Sequence, residues 1–178
     1  MKALTLTQPW ASLVAIGAKR IETRSWRTNF RGTIAIHAAK GFPGEAKRLC
    51  ESGMVCRALG WPILPNPLTQ EALDNSKRRI AELPLGCVIA TAFLNEVLPT
   101  VAYGCLSGVF EDYPDLDTEQ ERAFGNYDRD RYGWVLENVK QTIAPIPVRG
   151  ALGLWDFDGL RGQRMSERYE SETGRLAA

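Results

Sequence analysis

The chain has 178 residues, 44% apolar and 24% charged, with 22 basic against 21 acidic side chains and a formal net charge of +1. These figures describe one soluble globular domain and exclude wholesale disorder, because aliphatic and aromatic residues recur from the first strand to Trp155. No run approaches the ~20 apolar residues of a membrane span, and MKALTLTQPW lacks the pattern of an export signal, so a cytoplasmic protein without membrane contact is expected.

The first element is a strand over KALTLT (2–7), which alternates and carries β-branched residues. Pro9 suits the first position of a short helix, where its fixed φ is helical and its missing N–H is not needed. Trp10, Leu13 and Val14 then share one face, and Gly17 is placed to end the helix in a left-handed conformation. IETRSW (21–26) reads as a second strand with Glu22, Arg24 and Trp26 on one face. TIAIHAA (33–39) reads as a third, with Thr33, Ala35, His37 and Ala39 on a face of small side chains that leaves room for a ligand or a packed neighbour.

Residues 43–84 change character. GEAKRLCESGMVCRALG and TQEALDNSKRRIAEL have helical patterns, and the connector WPILPNP holds three prolines that belong to neither helix interior. CVIATAFLNEVLPT (87–100) and YGWVLENV (132–139) return to strand. TIAPIPV and GALGLWDF read as final short strands, with prolines suited to sheet edges. The polar tail 159–178 is expected to fray or to form a loosely attached helix.

Charge is unevenly spread. Eight basic residues against Glu22 and Glu45 occupy positions 19–48, whereas EDYPDLDTEQE (111–121) carries six acids and no base. The first segment points to a partner with negative charge; the second reads as a solvated acidic loop, since it lacks the glycine and distal glutamate of a calcium loop. Cys50, Cys56, Cys87 and Cys105 form no CxxC pair and have one histidine, His37, to join them, so no metal site and no cofactor are expected. They read as buried apolar residues. His37 lacks a nucleophile elbow to serve and reads as an ordinary hydrogen-bonded residue.

The densest segment is QPWASLVAIGAKRIETRSWRTNFRG (8–32). Lys19, Glu22 and Arg24 follow the helix-ending glycine closely, and Glu22 between two cations would stay ionised and fix both. A salt-bridge cluster closing one end of the fold is the purely structural alternative. GAKRIETR (17–24) matches the pattern GxKxxExR and resembles the signature of the ASCH domain family, named for homology to a human transcription coactivator. QPWASLVAIGAKRIETRSW resembles the family's opening, GCVIATAFLNEV its central strand, and NYDRDRYGWVLENV with PIPVRGALGLW its closing half.

The resemblance implies an α+β fold, a PUA-like β-barrel with flanking helices, with the domain over 1–158 and 43–84 as a helical insertion. It places Lys19, Glu22 and Arg24 in a cleft beside the short helix, with Trp10 and Ser12 approaching from that helix and Tyr127, Asp128 and Arg131 opposite. The implied partner is RNA, single-stranded nucleic acid or a nucleotide-like small molecule: Lys19, Arg24, Arg27 and Arg31 would meet phosphates, and Trp10, Trp26, Tyr127 or Trp134 would stack on a base. On this reading Lys19→Ala and Arg24→Ala weaken binding and leave thermal stability nearly unchanged. An enzyme is the alternative, a ribonuclease or nucleoside amidohydrolase with Lys19 and Glu22 as catalytic acid and base. Where the amidohydrolase branch of the family has its nucleophilic threonine, this chain has Glu22, which cannot supply a hydroxyl. Glu137 is a further carboxylate of interest. A third reading is a protein-interaction module using the insertion and its Trp61, Ile63 and Leu64 connector, although no particular protein partner is indicated.

Overall fold

A computed structural model describes residues 1–63, 69–102, 104 and 107–159. The connector residue Leu64, Cys105 and the tail from residue 160 onward lie outside the described residues. Six strands, β1 (Lys2–Leu6), β2 (Ile21–Arg24), β3 (Gly32–Ala38), β4 (Cys87–Pro99), β5 (Tyr132–Pro147) and β6 (Leu154–Asp156), form one mixed sheet in the order β2-β5-β4-β3-β1-β6. The sheet curls into a half-barrel with helices against it, an α+β architecture consistent with a PUA-like barrel. β1 runs parallel to β3, pairing Thr5 with His37, and the other pairings are antiparallel.

Alternation explains the core. Leu4 and Leu6 of β1, Ile34 and Ile36 of β3, Leu94 of β4 and Trp134 and Leu136 of β5 are all buried in one cluster. Helix α1 (Trp10–Ala15) adds Ala11 and Val14 to it. Pro9 stands just before this helix rather than inside it. Gln8 takes the capping role instead: its Oε1 accepts from the Ser12 N–H at 3.1 Å while its Nε2 donates to the Pro84 carbonyl at 2.9 Å. Gly17 ends the helix at φ +75°, as its position predicts, and the Lys19 N–H then bonds back to the Leu13 carbonyl at 3.0 Å. That turn aims β2 across the sheet.

The insertion departs from the expected pair of helices. Ser52 caps a new helix by accepting from the Val55 N–H at 3.3 Å, so the first stretch divides into α2 (Gly44–Leu49) and α3 (Gly53–Ala58) before α4 (Gln70–Glu82). Val55 packs with Leu13 of α1 and with Phe124, which ties the insertion to the barrel end.

β2 stops at Arg24 instead of residue 26, and TIAPIPV is no separate strand but the second half of β5. Between the Val88–Ile146 and Ala90–Gln141 pairs, β5 carries extra residues that loop outward, which absorbs the break in alternation. β2 covers only Tyr132–Val135 of the outer edge of β5, so Pro145 and Pro147 lie where that edge has no strand beside it among the described residues. The acidic stretch is also more structured than a solvated loop. It forms α5 (Val109–Asp112), a 3-10 turn (Pro114–Leu116) and α6 (Glu119–Ala123), with Leu116 and Glu121 buried.

Candidate functional site

The signature residues of GAKRIETR divide into two layers. Lys19 lies in the lower one, its side chain 1% exposed, with Nζ donating to the Ile21 carbonyl and standing 3.6 Å from Glu121 Oε1. The Glu121 carboxylate also accepts from the Arg20 N–H at 2.7 Å, the Ile21 N–H at 3.1 Å and the Tyr127 hydroxyl at 3.0 Å. Taking two charges out of water costs several kcal/mol per ion and is offset only where the partners are this complete. Tyr127 is held as a neutral donor: burial, then the Glu121 charge beside it, pushes its phenol far up from the ordinary value. The expected arrangement of Glu22 between Lys19 and Arg24 is therefore not what forms. Lys19 takes its carboxylate from α6, and the expectation that Lys19→Ala spares stability falls with it.

The upper layer is an open cavity of about 390 Å³ between β1, β2, α1 and the 123–131 segment. Glu22 and Arg24, on one face of β2, both line it. Arg24 Nε lies 3.1 Å from Glu22 Oε1 in an ion pair, close but off the axis of a hydrogen bond, and Nη2 donates to the Thr5 carbonyl at 2.8 Å. Arg131 lines the cavity too, donating through Nε to the Asn126 carbonyl at 3.1 Å and through Nη2 to the Thr23 carbonyl at 3.2 Å. Among the described residues, neither Nη1 takes part in the bonds that position its guanidinium. Trp10 joins α1 to the opposite wall, its indole N–H donating to the Phe124 carbonyl at 2.8 Å.

That opposite wall is fixed by short bonds. Thr23 Oγ1 accepts from the Asn126 N–H at 3.1 Å, Asn126 Oδ1 from the Asp128 N–H at 2.9 Å, and Thr100 donates its hydroxyl to the Asp128 carbonyl at 2.6 Å. Thr23, the residue between Glu22 and Arg24, thereby ties β2 to the loop. Thr5, Thr7 and Asn126, none of them a sequence candidate for the site, also line the cavity. Parity along β1 gave no reason to select Thr5, and Asn126 lies outside any periodic element.

Of the other sequence candidates, Ser12 faces a separate cavity of about 270 Å³ beside Ile16 and Thr142. Trp26 packs edge-on against the fully buried Trp134, ring centres 4.6 Å apart, and accepts that indole's N–H on its own carbonyl. Arg31 is exposed and folds back to the Thr28 and Phe30 carbonyls. Tyr127 packs on Phe110 above the Lys19 layer. Glu137 is held by an asparagine: Asn95 Nδ2 donates to its Oε1 at 3.2 Å. Cys50, Cys56 and Cys87 are buried free thiols, and no group of three or more metal-ligating side chains occurs among the described residues. No described helix is long and apolar enough to cross a membrane.

In chemical terms, the cavity offers two anchored guanidiniums, one carboxylate, hydroxyl and amide groups and an indole. This set suits a planar, hydrogen-bonding ligand that carries negative charge, and the volume lies in the range of small-molecule sites. The chain is 27% identical over 157 residues to Activating signal cointegrator 1 of Homo sapiens, and 26% identical over 155 residues to the same protein of Mus musculus. Each alignment covers 87% of this chain and 22% of the relative, so the chain spans about a fifth of the length of these relatives. The model of the ASCH domain matches residues 4–147, and the chain belongs to the ASCH domain family.

Proposed function

We propose that the cavity between Arg24 and Arg131 binds RNA by taking one nucleotide of a single strand. ASCH domains are associated with RNA binding. The observation that carries the reading here is the pair of guanidiniums that line one cavity, each fixed by backbone carbonyls. Trp10 lines the same space and supplies an aromatic surface beside the phosphate-binding groups, the combination used for single-stranded nucleic acid. Acid–base catalysis by Lys19 with Glu22 has less support, because Lys19 turns to Glu121 rather than to the cavity.

The test is incubation of labelled single-stranded RNA with wild type, Arg24→Ala and Arg131→Ala at two salt concentrations, following mobility and strand integrity together. Salt-sensitive binding of intact RNA, weakened in both variants, is expected. Wild-type binding by both variants sinks the reading, and cleavage lost in Arg24→Ala replaces it with a nuclease.

A further inference from the structure

Thr5 belongs to two cavities at once. Its carbonyl holds Arg24 in the cavity described above, while its hydroxyl donates to the Ala151 carbonyl at 3.0 Å and accepts from the Trp155 indole N–H at 3.0 Å. Those bonds form the wall of a second, larger cavity of about 690 Å³ on the far side of β1. Thr5 lines both spaces.

The second cavity has an apolar interior and a cationic mouth. Pro147, Val148 and Leu152 supply apolar walls, and Leu152 is 97% exposed at the rim although the core nearby is closed. Lys40 lays its aliphatic stem along Gly86, where a Cβ would meet Lys40 Cβ at 3.7 Å, and Arg149 stands nearby. Both cations are exposed and belong to no ion pair among the described residues. His37, 2% exposed, forms the floor. Its Nε2 bonds the Val148 carbonyl at 3.0 Å, which makes Nε2 the protonated nitrogen of the neutral ring and leaves Nδ1 as an acceptor with no partner among the described residues. Gly150 crosses over that ring so closely that a Cβ would lie 2.6 Å from Nδ1, so the 149–152 segment meets the floor through bare backbone.

We propose that this second cavity is the seat of the adjacent nucleotide of the same RNA strand, its base against the Val148 and Leu152 walls and its phosphate between Arg24 and the Lys40–Arg149 mouth. The proposal rests on the reading of the first cavity as a nucleotide site and adds a direction: the strand crosses β1 at Thr5. An apolar pocket with charge at the rim alone accepts a base face and rejects a buried phosphate, which is the polarity a nucleotide presents in this orientation.

The experiment uses a random-sequence pool of single-stranded RNA pentanucleotides, titrated against wild type, Arg24→Ala, Ala151→Trp and the double variant Lys40→Glu/Arg149→Glu. Ala151 is exposed and contributes its carbonyl to Thr5, so tryptophan there plugs the cavity with no change of charge or of that bond. Unchanged melting temperatures check that each variant folds. A loss of about fivefold or more in Ala151→Trp and in the double variant, with a shallower salt dependence only in the latter, is expected. Wild-type affinity in Ala151→Trp overturns the second site, even if the double variant weakens binding, because charge reversal alone then acts by general repulsion. Wild-type affinity in Arg24→Ala instead removes the first-cavity reading on which the proposal rests, and absence of binding by wild type removes both.

Discussion

Lys19 reaches Glu121 beneath the candidate site, Nζ to Oε1 3.6 Å, with the two side chains 1% and 5% exposed. The ion pair joins the turn after α1 to the first turn of α6. Because the same carboxylate accepts the Arg20 and Ile21 N–H groups, it also fixes the start of β2, immediately before the side chains that line the cavity. The family-signature lysine here acts as a foundation for Glu22 and Arg24.

Lys19→Ala is therefore a stability variant. Removing one partner of a buried pair leaves an uncompensated charge, which costs about 3–5 kcal/mol. Urea unfolding followed by far-UV circular dichroism should show a midpoint well below that of wild type, whereas Arg24→Ala, whose side chain is 25% exposed, shifts it far less. Equal midpoints for wild type and Lys19→Ala would contradict the foundation role.

Binding should separate the two residues in the opposite sense. Arg24→Ala is expected to lower the slope of log affinity against log salt by about 1, as loss of one phosphate contact does. Arg24→Lys restores the charge without the fork that reaches both Glu22 and Thr5, so the slope returns while the affinity stays below wild type. Electrophoretic mobility measured across a salt series checks both statements.

Much of this arrangement is legible in the sequence, and the exceptions have specific causes. Alternation and the Pro9 and Gly17 signals locate β1, α1, β3 and β4, and the spacing in IETR puts Glu22 and Arg24 on one strand face. The direction of Lys19 is not readable, because a turn residue has no pleat parity, and its partner lies in a distant segment dominated by acids. One local signal does mark that partner. Thr118 and Glu121 stand in the T-x-x-E spacing of a helix start, and Thr118 Oγ1 accepts from the Glu121 N–H at 3.1 Å. Reading that helix would have taken Glu121 out of the solvated loop. The two halves of β5 read as separate strands because the outward loop near Thr142 breaks the alternation that joins them.

His37 is the chain's one histidine, which makes its titration separable from every other group. Burial holds its imidazolium below the ordinary value of 6.5, against the opposing effect of the Val148 carbonyl. The unfolded chain therefore binds a proton that the folded one refuses, so stability is full above about pH 6.5 and declines as pH falls from there toward the folded pKa, by at most about 1.4 kcal/mol per pH unit. His37→Gln should flatten the curve of unfolding free energy between pH 7.5 and 5.5. An unchanged slope would assign the dependence elsewhere.

The buried thiols make a chemical prediction. Burial pushes Cys50 up to about 12 and Cys87 up to about 11, leaving almost no thiolate at pH 8. Iodoacetamide applied to the folded protein and mapped by peptide mass spectrometry should leave Cys50, Cys56 and Cys87 unmodified. The same reagent in denaturant should alkylate all three. Rapid labelling of Cys87 in the native state would show that β4 opens locally.

The outer edge of β5 beyond its short pairing with β2 determines how this domain behaves among copies of itself. An open strand edge is a template for a foreign strand, and β5 is the longest strand of the sheet. Pro145 and Pro147 offer no N–H there, and the outward loop that includes Pro145 carries the fully exposed Ile143 across the line an incoming strand would follow. Aggregation by edge-to-edge strand addition is thereby discouraged along that side, without a further strand being needed to cover it.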